Sequence, residues 1–399
     1  MKHAEKNLSG RTLLRAGQCA IACAAFALIT ACGGGSDNNN SSANTTPAGG
    51  VKLQVVSFGD SLSDVGTYSP VILTNFGGGK FTTNPGEIWV QKVAEYYGGT
   101  VTPAYLGGFG QPLAAAGGLG YAQGGARVNE PLGEGHADAS VANAAYAQAT
   151  TVPVLQQIQN YIDAHGSFNS NQLVLINGGA NDIFIQAQAI SDAGTAAATA
   201  AAQGGADATT AANAGIAASV AAIPAASQAI TTAATQFIGA VQNLIAHGAT
   251  HVVVMNIPDI VQSPLGVNSS ASAKQVLGAL TTGYNNALKQ VFGSSSQVIL
   301  IDAAQLEDDT LANYQALGFT VSNTGTACNL ASMEAAAAKY GESDPSAFAS
   351  SLFCSPETYT VAGADQTYMF ADLVHPTTHL HALFAQYVEQ KIAATGLGK

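Results

Sequence analysis

The sequence predicts an α/β domain built on a parallel sheet that is covered on both faces. Four short apolar runs have strand length: Val51 to Phe58, Leu173 to Asn177, His251 to Asn256 and Gln297 to Asp302. Turn-forming residues stop the first three, at Gly59-Asp60-Ser61, Gly178-Gly179 and Pro258-Asp259. Stretches with helical spacing separate and follow them: Ile88 to Tyr97, Val152 to His165, Ala226 to His247, Ser272 to Phe292 and Thr378 to Ala393. Continuous apolar strands separated by helices imply parallel pairing, because each return to the same edge of the sheet needs a crossover helix.

The chain begins with a segment of different character. Lys2, Lys6, Arg11 and Arg15 make residues 1–31 basic at their start, and Ala20 to Ala31 form an apolar run too short to span a bilayer comfortably. The run ends in Ile29-Thr30-Ala31-Cys32, which resembles a bacterial lipobox, so residues 1–31 are expected to be a lipoprotein signal and Cys32 the acylated residue. Residues 32–50 are small and polar, and their Gly, Ser and Asn runs are expected to form a flexible tether. The main folded domain is then expected over 51–399, interrupted by a loosely packed, Ala-rich helical insertion at about 187–235 that reads as a surface hairpin.

Composition narrows the function. The formal net charge is −12, and only 10% of residues are charged, so no basic surface exists to neutralise nucleic-acid phosphates. Export accounts for the cysteines. Cys19 and Cys23 fall within the signal and Cys32 would carry lipid, which leaves Cys328 and Cys354 as a candidate disulfide in an oxidising compartment, with two buried thiols as the alternative.

Ester hydrolysis by serine needs a hydroxyl with a base, an acid that orients the base, and preorganised donors for the oxyanion. Ser61 lies in Phe58-Gly59-Asp60-Ser61-Leu62-Ser63-Asp64, directly after the first strand, where an open parallel sheet binds its ligands. Near the other terminus, Asp372-Leu373-Val374-His375-Pro376-Thr377 places an acid three residues before a histidine on a turn that leads into a helix. Histidine is the usual base near neutral pH. His375, His379 and His381 also offer a metal reading, but no Glu follows His375 as in a zinc-protease helix, and Pro376 makes it a poor mid-helix ligand. No metal and no cofactor is expected. A Gly-x-Ser-x-Gly elbow is absent, and Gly118-Leu119-Gly120 fails as a dinucleotide fingerprint because Gln123 stands at the third glycine. Asp60, Asp64, Asp182 and Asp259 read as loop carboxylates, Trp89 as core, and Glu130, Glu134 and His136 as a solvated loop.

Together these motifs resemble the GDSL (SGNH) hydrolase family. Ser61 matches the nucleophile of its first block. Gly120-Tyr121-Ala122-Gln123-Gly124-Gly125-Ala126 resembles the second block, which implies an oxyanion-hole N–H at Gly125, although Gly120 stands where asparagine is common. Gly178-Gly179-Ala180-Asn181-Asp182 resembles the third and implies that the Asn181 amide is the other donor beside the Ser61 N–H. Asp372 and His375 match the acid and base of the last block. Asn84-Pro85-Gly86-Glu87-Ile88-Trp89-Val90, Asn256-Ile257-Pro258-Asp259 and Gly318-Phe319-Thr320 are similar to the lecithinase/haemolysin-like bacterial branch. The resemblance implies a three-layer α/β/α sandwich with a flavodoxin-like sheet of about five strands. It implies an esterase or lipase acting through an acyl-enzyme on Ser61, with an ester or lipid substrate and the membrane as its partners. Acyl transfer, carbohydrate O-deacetylation and a non-catalytic surface-binding lipoprotein are the alternatives.

Overall fold

The computed structural model describes residues 46–339 and 349–399. The expected signal, the Cys32 attachment site and most of the tether lie outside the described residues. In chain order the elements are β1 (Gln54–Phe58), α1 (Ser69–Phe76), α2 (Trp89–Tyr96), β2 (Tyr105–Gly108), β3 (Gln111–Ala115), α3 (Ala144–Ala147), α4 (Val154–His165) and β4 (Gln172–Ile176). They continue with α5 (Ala180–Gln203), α6 (Ala208–Ala246), β5 (Val252–Met255), α7 (Pro264–Asn268), α8 (Ala271–Phe292) and β6 (Val298–Ile301). The last are α9 (Ala303–Ala312), α10 (Leu330–Lys339), α11 (Ala364–Thr367) and α12 (Thr378–Ala393).

The four apolar runs form one parallel sheet in the order β1-β4-β5-β6. Because side chains alternate along a strand, each strand feeds two cores. Val56, Phe58, Val174, Ile176, Val252 and Val254 pack with Ile158 of α4, Phe237 of α6 and Tyr284 of α8. Val55, Leu173, Leu175, Val253 and Met255 pack with Trp89 and Val93 of α2 and Phe384 and Val388 of α12. The three-layer α/β/α sandwich is therefore present.

Among the described residues, a fifth strand is not formed as such. Beyond β1 the sheet continues only as a parallel bridge between Ser57 and Gly120, in which Ser57 N–H donates to Leu119 (3.0 Å) and Tyr121 N–H donates to Ser57 (2.8 Å). Gly117, Gly118 and Gly120 supply no side chains to pack on a sheet face, and Pro103 on the far side has no N–H to extend the ladder.

α5 and α6 form one long hairpin that carries residues 187–235 largely on the surface, while Phe237, Val241 and Leu244 of α6, beyond that stretch, are fully buried. At its crossing a Cβ on Gly194 would lie 3.0 Å from the Gly215 carbonyl oxygen, and one on Gly215 would lie 2.9 Å from that of Gly194, so the two helices meet backbone to backbone. The expected helix start at Ala226 is also too late, because α6 runs through Pro224. Alanine-rich turns on both sides offset the missing hydrogen bond of an exposed proline. Residues 46–50, expected as the end of the tether, are held to the domain. Gly49 N–H donates to Tyr96 O (2.8 Å), and Lys399 N–H donates to Gly49 O (3.0 Å).

Candidate active site

The loops at the carboxyl edge of the sheet carry the residues singled out from the sequence. β1 delivers Ser61, β4 leads into α5 with Asn181 in its first turn, and the strap before α12 carries Asp372 and His375. Ser61 and His375 are 314 residues apart in the chain, yet His375 Nε2 stands 2.9 Å from Ser61 Oγ. On the other side of the ring, His375 Nδ1 is 2.7 Å from Asp372 Oδ2 and 2.9 Å from Oδ1. With Nδ1–H given to the carboxylate, Nε2 is left as an acceptor for the serine proton. Phe81 packs beside the imidazole, with ring centroids 5.1 Å apart.

Asp372 is fully buried and accepts backbone N–H groups from Val374 (3.0 Å) and His375 (2.8 Å) on Oδ1 and from Ser351 (2.6 Å) on Oδ2. Burial alone would raise its pKa. The electrostatic pairing with His375 and these hydrogen bonds outweigh burial and hold the carboxyl well below the usual carboxylate range.

The Ser61 loop is fixed from beneath. Asn177, the last residue of the second apolar run, donates to Asp60 Oδ1 (2.7 Å) and accepts from Ser63 Oγ (2.6 Å). Gln157 clamps Gly59 by accepting from its N–H and donating to its carbonyl, both at 2.8 Å. Asp64 accepts from Gly66 and Thr67 within its own turn and from Gly124 (2.8 Å) across the site. Burial pushes the Asp60 and Asp64 carboxyls up despite these donors.

Gly125 and Asn181 face the same cavity as Ser61 and His375. Gly125 has φ +79°, and a Cβ there would run into the Glu134 carbonyl, so glycine alone fits. Among the described residues, neither the Ser61 nor the Gly125 N–H donates to another group. Asn181 Nδ2 donates to Ala126 O at 2.8 Å, which fixes the plane of the amide and leaves its second N–H free to donate. The adjoining Asp182 accepts from Arg127 Nε (3.0 Å) and Val128 N–H (2.9 Å), locking the Gly125 segment to α5.

The sequence profile of the family described as GDSL-like Lipase/Acylhydrolase matches residues 55–388. The chain belongs to the GDSL-like lipase/acylhydrolase family. With that family comes ester-hydrolysing activity in general terms. No curated protein shows a significant match to the chain. Among the described residues, the four GDSL-type motifs read from the sequence meet at one cavity of about 1540 Å³.

The remaining sequence candidates sort by position. His379 and His381 do not join His375. His379 Nδ1 binds Gln366 O, while His381 is buried and accepts from Trp89 N–H at 3.4 Å. Trp89 is core. Asp259 caps a short turn through Val261 N–H. Glu134 lines the cavity, whereas Glu130 and His136 do not. Cys328 and Cys354 form a disulfide with Cα atoms 5.9 Å apart. Sequence reasoning missed Asn177, Gln157 and the Ser351 N–H. The only signal for Asn177 was a polar residue closing an otherwise apolar strand, and Gln157 and Ser351 gave none.

Proposed function

We propose that this protein is a serine esterase or lipase that hydrolyses carboxylic esters of acyl lipids through an acyl-enzyme on Ser61. The hydrogen-bonded line from Ser61 Oγ through His375 to Asp372 supports this reading most directly. His375 Nε2 takes the Ser61 proton as Oγ forms a bond to the ester carbonyl carbon. The carbonyl electrons move onto oxygen, which the Ser61 and Gly125 N–H groups and the Asn181 amide hold. As the carbonyl re-forms, the bond to the alcohol oxygen breaks, and His375 returns its proton to that oxygen. Water repeats the sequence on the acyl-enzyme, releasing the acid and restoring Ser61. Asp372 stays ionised throughout, orients the ring and stabilises its protonated form.

The lipobox-like Ile29-Thr30-Ala31-Cys32 supports export and anchoring to the bacterial outer membrane by a lipid on Cys32, facing the periplasm or the cell surface. One experiment tests the reading. A serine-directed phosphonate should inactivate the enzyme and label Ser61, and a panel of p-nitrophenyl esters, phospholipids and acetylated sugars, with and without an acceptor alcohol, should show hydrolysis of acyl esters. An unlabelled Ser61 with no ester turned over overturns it. Labelled fatty acid should be incorporated into wild type and not into Cys32→Ser.

A further inference from the structure

The cavity that holds Ser61 extends far beyond the reacting groups, and its character changes along its length. All of its charged lining residues, Asp60, Glu134, Asp259 and Glu307 together with His375, come from the loops and from α9 at the carboxyl edge of the sheet. Away from that edge one wall is made by α5, α6 and the start of α8, none of whose lining residues is charged, and a shorter one by Val71 and Ile72 of α1 with Phe109 and Leu352. The 39 residues of α6 contain no charged side chain at all.

The lining positions have helical spacing. Phe184, Ala187, Ser191, Gly194 and Ala198 form one stripe on α5, and Ala212, Ile216, Ser219 and Ile223 form another on α6. From Asn181 to Ala198 the wall therefore runs roughly 25 Å at 1.5 Å per residue. Small side chains line it, with Gly194 and Gly215 in backbone contact at its floor, and at its rim Ile216 and Val220 remain 64% and 59% exposed.

We infer that this groove seats a single long, unbranched acyl chain and that Ala187 and Ala198 on α5, with Ile216 and Val220 on α6, set the chain length the enzyme prefers. The inference rests on the serine-esterase reading and names its substrate class. The arm in the groove is the acyl side of the ester rather than the alcohol. The leaving oxygen must face His375 to be protonated, whereas α5 departs from Asn181, which holds the carbonyl oxygen. An uncharged wall also disfavours sugar-bearing or charged acyl groups, whose polar atoms would lose water without gaining partners.

The test is the dependence of kcat/KM on chain length, measured with the exported full chain and p-nitrophenyl esters from acetate to palmitate below their aggregation limits. Wild type should gain up to about fourfold per added methylene until the groove is filled, and acetates of long-chain alcohols should gain little. Ala187→Phe, six residues from Asn181, should move the optimum to shorter acids and cut the palmitate-to-acetate ratio by about tenfold or more. Ile216→Trp, on the exposed rim of α6, should lower only the longer esters, and because Ile216 is 64% exposed it supplies the ordering if Ala187→Phe fails to fold. Melting curves monitor both variants. An optimum at acetate that falls with length, or plugged variants with the wild-type profile, overturns the groove and leaves the esterase reading standing. Failure to hydrolyse any ester, with no phosphonate on Ser61, overturns both.

Discussion

The backbone N–H of Ser351 donates to Asp372 Oδ2 at 2.6 Å, and Ser351 lies three residues before the disulfide-bonded Cys354. The disulfide thus tethers the segment that supplies one of the acid's three backbone donors. Cys328 and Cys354 close a loop of 26 residues' separation, which in the chain-entropy view stabilises the domain by about 3.5 kcal/mol. Cys328→Ser/Cys354→Ser should therefore melt at lower temperature and lose activity by a smaller factor, with the residual enzyme more sensitive to acid. A double variant that melts like wild type contradicts the stabilisation, and a thiol count on denatured, unreduced protein checks the bond itself.

The nucleophile and its base should behave as one unit. Ser61→Ala and His375→Ala should each lower kcat by roughly 10⁴ or more, and the double variant should be little worse than either. Single-turnover assays with a chromogenic ester measure this. Retention of a tenth of wild-type activity by Ser61→Ala is incompatible with the proposed mechanism.

Asn181→Ala removes a donor whose orientation is fixed by Ala126 O. The oxyanion forms only as the reaction proceeds, so kcat should fall by about 10²–10³ with a smaller change in KM. A raised KM at unchanged kcat would assign Asn181 to substrate binding alone.

The sheet and the motifs that carry Ser61, Asp372 and His375 were legible in the sequence because each is local. An apolar run of strand length, Gly-Asp-Ser-Leu after it, and Asp-x-x-His before a helix are all short-range patterns. What supports them is not local. The Asn177 contacts with Asp60 and Ser63 span more than 110 residues, and Gln157 reaches Gly59 across 98. The close contact between α5 and α6 was not legible for a different reason. Alanine, glycine and threonine look loose when large apolar anchors are the guide, yet Gly194 and Gly215 permit a close backbone approach that propensity scales do not record. The missing fifth strand follows from glycines that turn a pairing edge into a single bridge.

Asn177 yields a prediction of its own. Asn177→Ala would leave the buried Asp60 carboxyl with only the Leu62 N–H and the buried Ser63 hydroxyl without its acceptor, at about 1–3 kcal/mol of stability. Because both flank Ser61, kcat should drop while the enzyme still reacts with a small phosphonate. Chemical denaturation and kcat measured together check this. Unchanged stability would show that another group takes over the two contacts.

Glu389 gives a pH-dependent prediction whose direction differs from that of Asp372. It is half-buried on α12, and burial pushes its carboxyl up to about 7, with Lys92 opposing the shift. A carboxyl with a raised folded pKa binds its proton more tightly in the native state than in the unfolded chain. Its favourable contribution is therefore complete below the unfolded pKa, near 4.5, and is lost as pH rises through about 7. Asp372 acts oppositely: its depressed pKa adds stability above the unfolded value, which is lost as pH falls towards the folded one. Glu389→Gln removes the penalty of a partly buried charge without removing the side chain's bulk. The variant should match wild type at pH 4.5 and become more stable at pH 8, on the order of 1 kcal/mol once solvent screening of a partly exposed group is allowed for. Urea denaturation at the two pH values reads this directly. An equal effect at both would place the cause in packing rather than ionisation, and a destabilised variant at pH 8 would mean that the contact with Lys92 outweighs burial.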